Sequence, residues 1–118
     1  GENAGQVFRF DPRSDTLTMV LEVTDRSVLS CPDNISFMPS GDLLLCEDNY
    51  EIGNGATHQC LRGLRADGSI YDVARNTLNT EDDAGPEFTG PCWSPDGRVL
   101  FVNLQRPVHA TLAIRGPW

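Results

Sequence analysis

One hairpin occurs twice, and the spacing between its copies constrains the fold more than any other feature. Pro39-Ser40-Gly41 and Pro95-Asp96-Gly97 stand 56 residues apart, 39 to 95. At that displacement Phe37 meets Trp93, Leu43 meets Val99, Leu44 meets Leu100 and Leu45 meets Phe101. Pro and Gly set the backbone of such a turn, and Asp or Ser can bond to its own main chain. Each copy therefore reads as two short strands folded about a tight reversal. A second hairpin type alternates with the first: "VFRFDPRSDTLTMV" is echoed by "CLRGLRADGSIYDV", and "ATLAIRGPW" starts that unit once more. Two alternating hairpins make a four-stranded repeat of about fifty residues, the sequence sign of a β-propeller blade.

The expected fold class is all-β: about two blades of a β-propeller, each a four-stranded antiparallel sheet. No segment carries an apolar i, i+3, i+4, i+7 stripe long enough for a helix. Residues 7–23 read as the outer half of one blade and 31–74 as a complete blade. Residues 87–118 hold the inner hairpin of a further blade (87–104) and the start of its outer half (110–115). Strands are expected near 6–10, 17–22, 34–38, 42–47, 59–64, 69–73, 91–94, 98–103 and 110–114. Phe37, Leu44, Trp93, Leu100 and Phe101 are expected to be buried, packing blade on blade. Known rings close with about 4 to 8 blades, so these residues are expected to be the C-terminal piece of a larger ring. The remaining blades of the parent chain would then be their partner, and exposed sheet edges would make the piece adhesive alone.

Charge narrows the partners. Nine Lys and Arg against seventeen Asp and Glu give a formal net charge of −8 over 118 residues. Such a field repels phosphate backbones, so nucleic acid is not an expected partner. It suits divalent cations, although an acidic surface more often serves plain solubility. No apolar run approaches the about 20 residues of a membrane helix, so no integral membrane segment is expected. The start, "GENAGQ", has neither the basic region nor the apolar segment of an export signal, and such a signal could lie upstream.

Chemistry-bearing residues gather where inner strands begin. In a propeller the innermost strands line the central channel, and the loops at one mouth carry the ligands. Cys31-Pro32-Asp33-Asn34 and Glu87-Phe88-Thr89-Gly90 stand at equivalent places 56 residues apart, and both supply oxygen donors. Carboxylate and amide oxygens converging from several blades are the hard ligands that calcium accepts. Glu47 and Asp48, at the far end of the inner hairpin, return to the same mouth by antiparallel geometry. Asp48 reads more readily as a strand end in water. Glu51, in the loop that follows, reads as an ordinary loop carboxylate. His58 and His109 have no partner at metal-like spacing and read as surface histidines. Ser40 and Ser94 sit in turns with no His and Asp arrangement nearby, which argues against a serine hydrolase. No glycine-rich phosphate loop is present.

The cysteines, Cys31, Cys46, Cys60 and Cys92, form no CxxC pair and no zinc spacing. If the strands over Leu43–Asp48 and His58–Leu64 are antiparallel neighbours, Cys46 and Cys60 could sit opposite one another. A disulfide there is open in an oxidising compartment, and buried free thiols are the preferred reading.

Four motifs in order, "CPDNISFMPSGDLLLCED", "LRGLRADGSIYDVARN", "EFTGPCWSPDGRVLFVNLQ" and "AIRGPW", resemble the C-terminal part of PhoX-type proteins, the bacterial propeller alkaline phosphatases. The resemblance runs from about Val7 to Trp118 and includes the ending Gly116-Pro117-Trp118. It implies a phosphomonoesterase acting on phosphate monoesters, exported in folded form to the periplasm or the exterior, whose channel holds iron and calcium ions. Glu87-Phe88-Thr89-Gly90 looks like the family's metal-binding Glu-Phe-Ala-Gly segment, with Thr89 in place of alanine, so Glu87 is carried over as a metal ligand. Asp33 and Asn34 match the family's Pro-Asp-Asn, and Glu47 matches its Cys-Glu-Asp; all three are carried over as candidate metal ligands. No general acid, base or nucleophile is assigned. A non-catalytic propeller module that binds a protein or ligand is the alternative, with the carboxylates then structural.

Overall fold

A computed structural model describes residues 4–49, 58–78 and 85–118, which form nine strands and, among the described residues, no helix. The strands are β1 (Gly5–Asp11), β2 (Thr16–Val23), β3 (Pro32–Phe37), β4 (Leu43–Glu47), β5 (Cys60–Leu64), β6 (Ile70–Arg75), β7 (Phe88–Trp93), β8 (Val99–Leu104) and β9 (Ala110–Arg115). They build three antiparallel sheets in simple up-and-down order: β1-β2, β3-β4-β5-β6 and β7-β8-β9. The all-β expectation holds, and the sheets are those of propeller blades that do not close a ring. Glu51 lies outside the described residues, as does part of the stretch between β4 and β5.

Period-two alternation decides which side chains make the core. Along β4, Leu44 and Cys46 point to one face while Leu45 and Glu47 point to the other, and all four are buried. Burial on both faces is expected of a strand inside a layered stack rather than at its surface. Leu44, Cys46, Met38 and Leu61 meet Phe88, Leu100, Val102 and Leu104, so this core joins the second sheet to the third. A smaller core of Val7, Leu29, Leu45 and Leu64 joins the first sheet to the second. Each fully buried leucine contributes about 1.5 to 3 kcal/mol of transfer free energy.

Leu44 and Leu100 are fully buried as expected, and Trp93 is half-buried against the larger core. Its ring meets Trp118 edge to face at 5.0 Å, and the Trp118 indole N–H donates to the Arg98 carbonyl at 3.3 Å. Two expectations fail. Phe37 is 74% exposed and Phe101 37% exposed. Phe37 shares a face of β3 with Ile35, turned toward the first sheet, and the two line an apolar groove there with Val7, Phe8 and Leu43. Trp93, its repeat mate, has β3 and β4 packed against its strand. Among the described residues no such inner hairpin covers Phe37. Phe101 lies on the face of β8 opposite Leu100 and Val102, which take the core.

β7 also starts earlier than expected, at Phe88 rather than near residue 91. Phe88 and Thr89 pair with Leu104 and Asn103 before a bulge, and pairing resumes at Cys92 and Trp93. Gly90 carries the bulge at φ 61°, a conformation that favours glycine. Pro91, which has no N–H to give a ladder, is tolerated at such an irregularity. In β5 a different constraint selects glycine: a Cβ on Gly63 would collide with the Tyr71 ring lying across it. That ring is held by the Arg65 guanidinium 4.2 Å above it and by its hydroxyl donating to Asp42 at 2.8 Å.

Cys46 stands opposite Leu61, not Cys60, and the cysteines are free. A one-residue offset in an antiparallel pair sends two side chains to opposite faces, which removes the disulfide geometry. Both thiols are buried, as the preferred reading held.

Candidate metal centre

Three carboxylates converge at one end of the second and third sheets. Asp33 occupies the bulge at the start of β3, between Pro32 and Asn34, and has no cross-strand partner there. Asp48 follows β4 directly, and its N–H donates to the Cys31 carbonyl at 3.1 Å, extending the β3-β4 ladder by one pair. Glu87 precedes β7, and its carbonyl accepts from the Gln105 N–H at 3.0 Å, which closes the end of the β7-β8 hairpin. One carboxylate oxygen from each of Asp33, Asp48 and Glu87 lies within 4.8 Å of the others.

None of the ion pairs among the described residues involves Asp33, Asp48 or Glu87. Glu87 Oε1 is buried and has no hydrogen-bond partner among the described residues. Burial, then the charges of Asp48 and Asp33, push the Glu87 carboxyl up from 4.5 to about 7. Like charges held this close disfavour simultaneous ionisation unless a cation joins them. The donor set is all carboxylate oxygen, which suits calcium or another oxygen-preferring cation and not a thiolate-seeking one. The residues present therefore fit a hard divalent ion.

Side-chain amides fix the chain beside Asp48 and Glu87 and bond Asp33 directly. Asn49 and Gln59 are both buried and bond reciprocally: the Asn49 N–H donates to Gln59 Oε1 at 2.9 Å and Gln59 Nε2 to the Asn49 carbonyl at 3.1 Å. That pair fixes the chain immediately after Asp48. The Asn76 N–H donates to the Gln59 carbonyl at 2.9 Å, and Asn76 Nδ2 to the Pro86 carbonyl at 2.6 Å, fixing the chain immediately before Glu87. Asn34 Nδ2 donates to Asp33 Oδ1 at 2.7 Å.

The four residues expected as ligands separate into two groups. Asp33 and Glu87 come together. Asn34 lies beside them, but its Oδ1 accepts from the Gly90 N–H at 3.0 Å and the Thr89 hydroxyl at 3.2 Å. A carbonyl oxygen has two lone pairs, and both are occupied. Glu47 points to the opposite face of β4, where Oε1 accepts from Arg62 Nε at 3.0 Å and from the Ser30 N–H at 2.9 Å. Burial raises its carboxyl above the ordinary range against the pull of Arg62. Arg62 also pairs with Asp72.

Asp48 joins the group although its sequence position read as a solvated strand end. The antiparallel return had placed Glu47 and Asp48 alike at this mouth, and what separates them is the alternation of β4, which sends Glu47 to Arg62 and leaves Asp48 with the carboxylates. Asn76 and Gln59 gave no sequence signal, because their partners are backbone groups of distant segments. His109 is exposed and His58 half-buried, and neither belongs to the carboxylate group. Cys46 lies close enough to feel it: burial, then the charges of Asp33 and Glu87, push its thiol up to about 12.

Comparison with curated proteins and with solved structures finds no match in either. A family model does match, that of alkaline phosphatase PhoX, over residues 1–108. The match covers nearly the whole chain and spans all three carboxylates. The chain belongs to the PhoX alkaline phosphatase family.

Proposed function

We propose that this chain supplies part of a cation-dependent phosphomonoesterase site, with Asp33, Asp48 and Glu87 as ligands from neighbouring blades of a larger propeller. The observation that carries the reading is the buried, unpartnered Glu87 oxygen within 4.8 Å of two further carboxylates, in a member of a phosphatase family. Calcium is the ion the oxygen donors favour, and iron enters by family resemblance alone. A cation bound there would attract phosphate oxygens and offset the charge that builds in the transition state.

The chain's own part is placement. Glu87 offers a charge whose neighbours raise its affinity for a cation and for a proton alike. Asp48 and Asp33 come from the two ends of one inner hairpin, so a single rigid element sets their separation. Glu47 acts behind them, tying Ser30 and the turn into β3 to Arg62 of β5. On this reading the remaining ligands come from other blades of the parent chain, the substrate is a phosphate monoester, and the protein works in the periplasm or outside the cell.

The test is a phosphatase assay on the intact propeller carrying these blades, with calcium added or chelated. Glu87→Gln keeps the shape and a carbonyl oxygen while removing the charge. Activity is expected to fall by about 100-fold or more, with the fold retained. Full activity and full metal content in Glu87→Gln would reduce Glu87 to the polar start of a strand and favour the non-catalytic module.

A further inference from the structure

Asn34 makes an unusual set of contacts for one short side chain. It sits on β3 of the second sheet, yet its oxygen accepts two hydrogen bonds from β7 of the third, from the Thr89 hydroxyl and the Gly90 N–H. Its nitrogen donates to the neighbouring Asp33 carboxylate at 2.7 Å. The Gly90 N–H is available because of the β7 bulge: the register breaks between Thr89 and Cys92, and Gly90 at φ 61° is not in the β7-β8 ladder. The β3 bulge does the matching work on the other side, leaving Asp33 out of its own ladder. Two irregularities, one in each sheet, thus face one another with Asn34 between them.

We infer that Asn34 is a clamp across the two sheets that fixes Asp33 against Glu87, a positioning residue rather than a ligand. Thr89 and Gly90 follow Glu87 by two and three residues, so anchoring them anchors the start of β7. Without the clamp Asp33 loses the donor that orients its carboxylate, and the two sheets lose a polar tie between β3 and β7. Asparagine suits the position because it is an acceptor and a donor at once. Aspartate lacks the donor, and leucine of similar size lacks both.

The inference rests on the cation-site reading for its consequence but not for its geometry, so the test has two arms. In the first, calcium is titrated calorimetrically into the intact propeller carrying these blades, its Asn34→Ala and Thr89→Val variants, and the double variant. Asn34→Ala is expected to weaken calcium binding by about 10-fold or more, as removal of outer partners of metal ligands typically does. Thr89→Val, which touches no carboxylate, is expected to weaken it about threefold, and to have no effect once Asn34 is alanine. Unchanged affinity in Asn34→Ala overturns the inference. So does a neutral Thr89→Val beside a weak Asn34→Ala, which would make the Asn34 oxygen itself a ligand. In the second arm, hydrogen exchange of the Gly90 amide is followed in chelator. Faster exchange in Asn34→Ala, with core amides unchanged, supports the clamp, and equal exchange overturns it. Failure of the unsubstituted intact propeller to bind calcium sinks the cation reading alone, and the Gly90 amide still decides the clamp.

Discussion

At the scale of single residues, the meeting of Glu87 and Asp33 was legible because the repeat placed their segments at equivalent strand starts. Their neighbours were not. Asn34 offers the same oxygen to a cation or to an amide, and only the Gly90 bulge, visible in three dimensions, shows where it goes. Glu47 follows Cys46 in a strand, and its face is set by the alternation of β4, which sends it to Arg62 instead of Asp33. The raised Glu87 carboxyl has a consequence for stability. A group that holds its proton to about 7 when folded, against 4.5 otherwise, binds protons more tightly in the folded state. Its contribution is therefore fully present below the unfolded value and is lost as pH rises through about 7. Calcium acts in the opposite sense, because it needs the ionised form. Thermal melts are expected to show a larger calcium-induced rise in Tm at about pH 8 than at about pH 5.5. An equal rise at both would contradict the assignment of Glu87 as a ligand.

At the scale of elements, the turns announced the hairpins and the alternation announced the strands, so eight of the nine were legible to within two residues at each end. β7 was the exception, since a glycine and a proline in succession normally end a strand and here form a bulge within one. Phe37 and Phe101 were misplaced because a strand pattern tells which residues share a face but not which face is covered. The Glu47–Arg62 pair shows how β4 and β5 are joined on the side away from the larger core. Glu47 has only 1% of its side chain exposed and Arg62 14%. Removing one partner of such a pair leaves an uncompensated buried charge, at a cost of about 3 kcal/mol or more. Arg62→Met is therefore expected to destabilise the chain by about that amount near pH 8. Near pH 5 the loss should be smaller, because a protonated Glu47 needs no cation beside it. Urea denaturation at the two pH values measures the difference, and a pH-independent loss would contradict the role given to Glu47.

At the scale of the molecule, three sheets of two, four and three strands leave apolar surface where further blades would pack. Phe8 and Phe10 on β1 stand opposite Met19 and Leu17 on β2, and all four are exposed. The repeat makes this incompleteness legible in the sequence, since about two blades do not close a ring. Catalysis by a metal centre needs its whole ligand set in fixed geometry, and on the reading proposed above these residues bring only part of one. Purified residues 1–118 are expected to show no phosphatase turnover above background, with or without calcium, and metal-dependent turnover by the chain alone would contradict the division of labour proposed above. The central claim is that Asp33, Asp48 and Glu87 hold a cation together. The most direct measurement is anomalous X-ray scattering from crystals of the intact propeller grown with calcium. The account predicts an anomalous peak about 2.3 to 2.6 Å from an oxygen of each of the three carboxylates. Its absence there, with the three side chains ordered, would contradict the account.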